Sequence, residues 1–98
     1  MMRVRYVGAD MPLLLTNGKI YKCIGIEGGG SWLRIIDDEE EDYIYMINCP
    51  CDVFDQKNKH GKWQIVEDED DKLHKAFRFC KEPIYEYNEE TGEVKKVE

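Results

Sequence analysis

Six consecutive acidic residues, Asp37 to Asp42, lie between two apolar segments and form the densest group of potential metal ligands in the chain. Carboxylates could coordinate Ca²⁺, which takes about six to eight oxygen ligands. The run DDEEED has neither the spaced aspartates nor the internal glycine of a calcium-binding loop. Strand-forming residues flank it on both sides, and charges cost little at a solvated hairpin tip. We therefore predict a hairpin tip here, not a metal site.

Thiols and imidazoles form a second candidate metal site. Cys49 and Cys51 could bind zinc together with His60, His74 or Cys80. Structural zinc sites usually separate two cysteines by about two to four residues, whereas a single proline between them leaves little room for both sulfurs on one ion. No helix N-terminus or nearby cation is expected to activate a thiol for redox chemistry. The sequence thus predicts structural cysteines, with no metal and no cofactor.

Motifs for catalysis are not found. The chain has no nucleophile elbow, no phosphate-binding loop and no histidine–glutamate zinc motif. The glycines at 28–30 are not followed by a predicted helix, so they indicate a flexible turn and not a phosphate cradle. His60 lies in the polar segment KNKHGK and is expected to face solvent. We predict that the protein is not an enzyme.

Composition limits the class of partner. The chain has 98 residues, 42% of them apolar, which suits one domain with a single core. Its net charge of −7, from 21 acids and 14 bases, argues against binding nucleic acid or an anionic membrane surface. No segment has the length of a membrane span or the features of a signal peptide. We expect a cytoplasmic protein with reduced thiols.

Alternating apolar and polar residues predict a series of short strands. In the first, Val4 and Tyr6 share one face; in the third, Leu33 and Ile35 share a face and Trp32 takes the other. An Asn-Gly pair at 17–18 marks a turn. The five predicted strands cover residues 2–7, 19–27, 31–37, 42–47 and 63–67.

After residue 67 the pattern changes to that of a helix. Apolar residues at 73, 76, 77 and 80 predict a helix within 71–83, with Asp70 or Asp71 as its cap and Pro83 as its end. Residues 84–98 are predicted to form a hairpin that turns at Thr91 and Gly92. The segment DVF, 52–54, fits one turn of 3₁₀ helix.

The order of these segments is similar to that of a known family. RVRYVGAD, LLLTNGKIYKC, GGGSWLRII, EDYIYM and DVF, within residues 3–54, resemble the Src-homology-3-like small barrel in its bacterial form. The resemblance implies a mainly β fold, with a five-stranded barrel over residues 1–67. A C-terminal helix and β-hairpin over 68–98 would pack on that barrel in one compact domain.

The resemblance also implies a groove that binds a peptide or protein segment. Trp32 matches the tryptophan of that groove and Tyr6 its first aromatic, and Met46 stands where the family has a proline. The implied groove residues are Tyr6, Asp10, Trp32, Tyr45 and Met46. An acidic rim would favour a basic partner and speed encounter; it comprises Asp37, Asp38, Glu39, Glu40, Glu41 and Asp42.

Three alternatives stay open on the sequence. Trp32 is either an interface anchor or a residue covered by the C-terminal helix. The last hairpin either extends the barrel or pairs with another chain. The function is either that of a non-catalytic binding module using the groove, or that of an acidic decoy that neutralises a basic nuclease, toxin or DNA-binding protein. A domain held together by zinc on Cys49 and Cys51 is the third possibility.

Overall fold

The computed structural model describes residues 1–48, 50 and 61–97. Within them the chain is mainly β, as predicted. Its elements are β1 Met2–Val7, β2 Ile20–Glu27, a 3₁₀ turn Gly28–Gly30, β3 Trp32–Ile36, β4 Asp42–Met46, β5 Lys62–Glu67, α1 Lys72–Phe79, β6 Ile84–Tyr87 and β7 Val94–Val97. The 3₁₀ turn predicted at 52–54 lies outside the described residues.

All seven described strands belong to one sheet, in the order β4-β3-β2-β1-β5-β6-β7. Neighbouring strands are antiparallel except β5 and β6, which are parallel and pair Ile65 with Glu86. The last hairpin therefore extends the sheet beside β5. A parallel neighbour requires a crossover connection, and α1 supplies it between β5 and β6.

The described pairings form a sheet with two edges and not a closed ring of five strands. Strand β4 lies at one edge and β7 at the other. The edge strand β7 has Lys95 and Lys96 at its centre, opposite Glu86 and Tyr85 of β6. Both lysines are exposed to solvent.

The core lies on the face of the sheet to which the period-two pattern directs apolar residues. Strand β1 buries Val4 and Tyr6, and β3 buries Leu33 and Ile35. Helix α1 adds three residues spaced three and four apart, so that they share one helix face; these are Leu73, Ala76 and Phe77. No helix among the described residues has the length and apolar character needed to cross a membrane.

Helix α1 ends earlier than predicted, and Pro83 does not end it. The last helical residue is Phe79, and Lys81 adopts the left-handed conformation with φ 57°. The N–H of Glu82 donates to the oxygen of Phe77, and that of Lys81 to the oxygen of Arg78, both at 3.0 Å. This pair of bonds is a Schellman motif, which satisfies the final carbonyls of the helix.

Candidate functional site

Two of the predicted groove aromatics lie in the core. Tyr6 is 3% exposed and Tyr45 is 0% exposed. The hydroxyl of Tyr6 donates to the oxygen of Ala9 at 2.5 Å, and its ring meets Trp63 edge-on with centroids 5.9 Å apart. Neither tyrosine ring offers surface to a partner in this structure, because the inward faces of β1 and β4 carry them.

Asp10 is exposed, and its carboxylate belongs to the loop between β1 and β2. It accepts the backbone N–H of Asn17 at 2.7 Å, while the side-chain oxygen of Asn17 accepts the N–H of Gly8 at 3.1 Å. Gly18 follows with φ 81°, as the Asn-Gly turn predicts, and its N–H donates to the oxygen of Tyr6. Asp10 thus helps to close this loop.

Trp32 and Met46 stand directly opposite each other on β3 and β4. They alternate with buried Leu33 and Tyr45, so they lie on the outer face of the hairpin, and both are half-buried. The indole packs over Gly28, where a Cβ would lie 2.8 Å from a ring carbon. Trp32 is therefore neither a core residue nor fully exposed.

The end of α1 adds a third apolar side chain beside this pair. Phe79 is 69% exposed, and a Cβ on Gly30 would lie 3.4 Å from its ring. The Cys80 thiol donates to the oxygen of Gly30 at 3.3 Å, which ties the helix end to the turn before β3. A cavity of about 340 Å³ is lined by Ser31, Met46, Asn48, Phe79 and Cys80. We call Trp32, Met46 and Phe79 the outer patch.

The acid run is not uniformly solvated, which corrects the predicted rim at its first residue. Asp37 is 6% exposed, because it continues the inward alternation of Leu33 and Ile35. Its carboxylate accepts the N–H groups of Glu39 and Glu41 at 3.0 and 3.3 Å. It also accepts the hydroxyl of Tyr45 at 3.4 Å. The buried carboxylate of Asp37 therefore stabilises the hairpin turn by accepting its backbone N–H groups.

Asp38 is also structural and half-buried. It accepts hydrogen bonds from Thr16 Oγ1 at 2.8 Å, Lys19 Nζ at 2.7 Å and the Tyr21 hydroxyl at 2.9 Å. Burial raises the pKa of Asp38, but these donors together outweigh burial and the pKa lies below its ordinary value. Burial also raises the pKa of Tyr21, to about 12. The solvated part of the run is the remainder, Glu39, Glu40, Glu41 and Asp42.

A second cluster surrounds His74 in the first turn of α1. The ring atom Nδ1 lies 2.5 Å from Asp68 Oδ2, and Nε2 lies 2.8 Å from Glu86 Oε2 on β6. Burial lowers the pKa of His74, but the hydrogen bonds to Asp68 and Glu86 outweigh burial and the pKa is raised. Carboxylates only accept hydrogen bonds, so this arrangement fits a ring with both nitrogens protonated.

Asp68 caps the helix, where Asp70 or Asp71 was predicted to do so. Its oxygens accept the N–H groups of Leu73 at 2.8 Å and His74 at 3.1 Å. The residue that precedes the helix, Asp71, makes no side-chain cap bond. Both Asp70 and Asp71 are left-handed, with φ 52° and 63°. The left-handed conformations of Asp70 and Asp71 bend the chain so that the Asp68 carboxylate lies beside the N–H groups of the first helical turn.

Asp68, Asp71 and His74 are also a potential metal-ligand set. Each offers one ligand atom, and the three atoms lie within 4.8 Å of one another. Asp71 Oδ1 is 3.4 Å from His74 Nδ1. On the sequence, His74 was a candidate ligand only together with cysteines. The spacing D-x-x-D-x-x-H, which places three ligands around one helix start, was the available signal. The contact of Glu86 with His74 could not be predicted from the sequence, because it depends on the pairing of β6 with β5 in the sheet.

An open cavity of about 520 Å³ adjoins this cluster. Asp68, His74 and Glu86 line it, and so do further residues of the last hairpin. Its acidic lining comprises Asp68, Glu86, Glu89, Glu90 and Glu93, against the ammonium of Lys95 and the protonated ring of His74. Glu89 is paired with Arg3, with contacts of 2.5 and 3.0 Å. The electrostatics of the cavity therefore favour cations.

Of the cysteines and histidines considered as zinc ligands from the sequence, Cys49, Cys51 and His60 lie outside the described residues. The two described cysteines carry free thiols. Cys23 is buried, and burial raises its pKa to about 11. Its thiol donates to the oxygen of Gly25 at 3.3 Å.

Comparison with models of protein families, with curated proteins and with solved structures found no significant match. The resemblance to the Src-homology-3-like barrel therefore stays a prediction.

Proposed function

We propose that this chain is a non-catalytic binding module that holds a basic protein segment on the outer patch of Trp32, Met46 and Phe79. One observation carries the proposal: Phe79, 69% exposed, lines a cavity together with Met46, and Met46 stands opposite the outward Trp32. Single exposed apolar residues are ordinary, whereas adjoining ones indicate a contact surface. Tryptophan is among the residues that most often dominate binding energy.

The proposal keeps part of the groove predicted from the sequence and replaces the rest. Trp32 and Met46 stay in it. Tyr6 and Tyr45 are not part of the proposed binding surface, because their rings are buried. Phe79 is included instead, because its ring is exposed. One carboxylate oxygen of Asp10, Oδ1, accepts a hydrogen bond from the loop, so we assign Asp10 a structural role.

Charge supports a basic partner. The solvated acids, Glu39 to Asp42, lie at the far end of the same hairpin from the Trp32–Met46 pair. Strand β3 is five residues long, so the two features are about 15 Å apart at ~3.3 Å per residue. An extended segment of about five residues would span this length, with an apolar side chain on the outer patch and Lys or Arg beside the acids.

We further propose that the first five strands curl into a Src-homology-3-like barrel in an intracellular protein. The support is contact between strands that are far apart in the sheet order. Trp63 on β5 packs edge-on against Tyr45 on β4, with centroids 6.2 Å apart. A flat sheet would hold these strands apart, with three others between them.

A peptide array tests the binding proposal. Extended segments of about five to eight residues, with one apolar position and basic or neutral flanks, would be titrated against the wild type, Phe79→Ala and Trp32→Ala. We expect basic segments to bind and each variant to lose about tenfold or more in affinity. Val94→Ala is the control, because Val94 is 48% exposed on β7, at the opposite edge. Equal affinity of the wild type and both variants, with folding intact, would reject the outer patch.

The acidic decoy is distinguished by a third variant. Changing Glu39, Glu40 and Glu41 to Gln removes solvated charge and leaves Asp37 and Asp38 in their structural roles. A binding module should lose part of its affinity through this change and most of it through Phe79→Ala. Binding abolished by the three Gln changes and unaffected by Phe79→Ala would favour the decoy.

A further inference from the structure

We propose that Asp68, Asp71 and His74 bind one divalent transition-metal ion, with Glu86 holding the imidazole in place. The site lies at the first turn of α1, whereas the outer patch lies at the last turn. The proposal is independent of protein binding at that patch.

The three ligand atoms lie within 4.8 Å of one another, close to the separations that an ion of this class requires. Two atoms that are each about 2.1 Å from one metal ion lie about 3.0–3.4 Å apart. Asp71 Oδ1 is 3.4 Å from His74 Nδ1, within that range. Asp68 Oδ2, at 2.5 Å from the same nitrogen, shares a proton with it and needs to move by less than about 1 Å. The ion replaces that proton, which passes to water.

The donor types select the class of metal. One imidazole nitrogen and two carboxylates suit zinc, cobalt or manganese, because imidazole is a poor ligand for Mg²⁺ and Ca²⁺. Asp71 is exposed, which leaves coordination positions open to water or to an external ligand. Of its two oxygens, Oδ2 accepts Arg78 at 2.8 Å, and Oδ1 faces the imidazole.

A residue from a different element orients the histidine. Glu86 on β6 binds Nε2 at 2.8 Å, which fixes the ring and leaves Nδ1 for the ion. A carboxylate on the second nitrogen is the usual partner of metal-bound histidine. Asp68 is held in turn by the N–H groups of Leu73 and His74. Two of the three ligands are thus already positioned by the fold.

The adjoining cavity provides an entry route. It is open to solvent, and both Asp68 and His74 line it. Three further carboxylates of the last hairpin, those of Glu89, Glu90 and Glu93, face the same space and raise the local concentration of cations.

Titration with Co²⁺ tests the proposal through two neighbouring variants. Asp71→Asn removes a proposed ligand, whereas Asp70→Asn makes the same charge change one residue away. Both positions are left-handed, a conformation that Asn tolerates well. By calorimetry we expect one saturable site in the wild type, affinity lowered about tenfold or more by Asp71→Asn, and little change from Asp70→Asn. Equal losses in both variants would indicate diffuse attraction to acidic surface and reject the site.

Spectroscopy identifies the ligands directly. Bound Co²⁺ should selectively broaden the ring resonances of His74 in NMR spectra, and His74→Gln should abolish that binding. The absorption spectrum of the wild-type Co²⁺ complex should show no sulfur-to-cobalt charge-transfer band. A charge-transfer band together with an unperturbed His74 ring would assign binding to cysteines and overturn the proposal. Absence of saturable binding would overturn it as well.

Discussion

The indole nitrogen of Trp63 donates a hydrogen bond to the backbone oxygen of Met46, with 3.1 Å between the two atoms. Trp63 lies on β5 and Met46 on β4, with three strands between them in the sheet order. The bond therefore connects the two ends of the five-strand segment directly. Because Met46 also belongs to the outer patch, the same bond fixes the strand that presents its side chain.

Loss of this bond should measurably destabilise the protein. Trp63→Phe keeps an aromatic ring in the core but removes the donor and leaves the Met46 oxygen without it. We expect the free energy of unfolding to fall by about 1–3 kcal/mol. Urea denaturation followed by circular dichroism would measure the change. Trp32→Phe, at a half-buried position, should change it by less than about 0.5 kcal/mol; similar losses in both variants would contradict a special role for the Trp63 bond.

The buried acid of the hairpin turn gives a second prediction. Asp37→Ala deprives the N–H groups of Glu39 and Glu41 of their acceptor and should cost about 1–3 kcal/mol of stability. Glu39→Ala changes an exposed side chain of the same run and should stay within about 0.5 kcal/mol. Thermal and urea unfolding of the two variants would compare them. If Asp37→Ala is as stable as Glu39→Ala, the carboxylate does not hold the turn.

Asp38 predicts a pH dependence in the acid range. Its folded-state pKa lies below the ordinary value of 3.8, so it stabilises the fold above that value. This stabilisation is lost as pH falls through the folded-state pKa, because the unfolded chain takes up the proton more readily. We expect Asp38→Asn to be less stable than the wild type at neutral pH, with the difference shrinking as the pH falls below 3.8. Lys19→Gln should reduce that difference, and a gap that did not change with pH would contradict the prediction.

Cys23 should resist modification in the folded protein. Its thiol is buried and its pKa is about 11, so almost no thiolate exists at about pH 8. Alkylation at that pH, followed by peptide mass mapping, should leave Cys23 unmodified until denaturant unfolds the chain. Modification at the rate of an unfolded thiol would show that β2 opens readily.

Much of the fold could be predicted because each element has its own local pattern. Alternation at Leu33 and Ile35 defines β3, and the spacing of Leu73 and Phe77 defines α1. The position of the last hairpin could not be predicted, because pairing of Ile65 with Glu86 depends on where α1 carries the chain. The early helix end depends on Lys81 in a left-handed conformation, which a lysine does not signal.

The sites were less predictable, for a physical reason in each case. The burial of Asp37 was available from the period-two pattern, since it lies two residues beyond Ile35, but its five acidic neighbours obscured that signal. Phe79 was not predicted as exposed, because the point at which α1 ends decides which way the ring faces. The Glu86–His74 contact joins residues whose elements meet only in the folded chain.

The two lysines at the centre of β7 have a consequence for solubility. Strand β7 leaves one row of backbone groups available for another strand. An antiparallel copy of β7 placed there would bring lysines of the two chains close together, and their repulsion opposes such growth. The two lysines thus disfavour fibril-like stacking at this edge. Replacing Lys95 and Lys96 by Thr should promote aggregation at concentrations at which the wild type stays dispersed, as light scattering would detect.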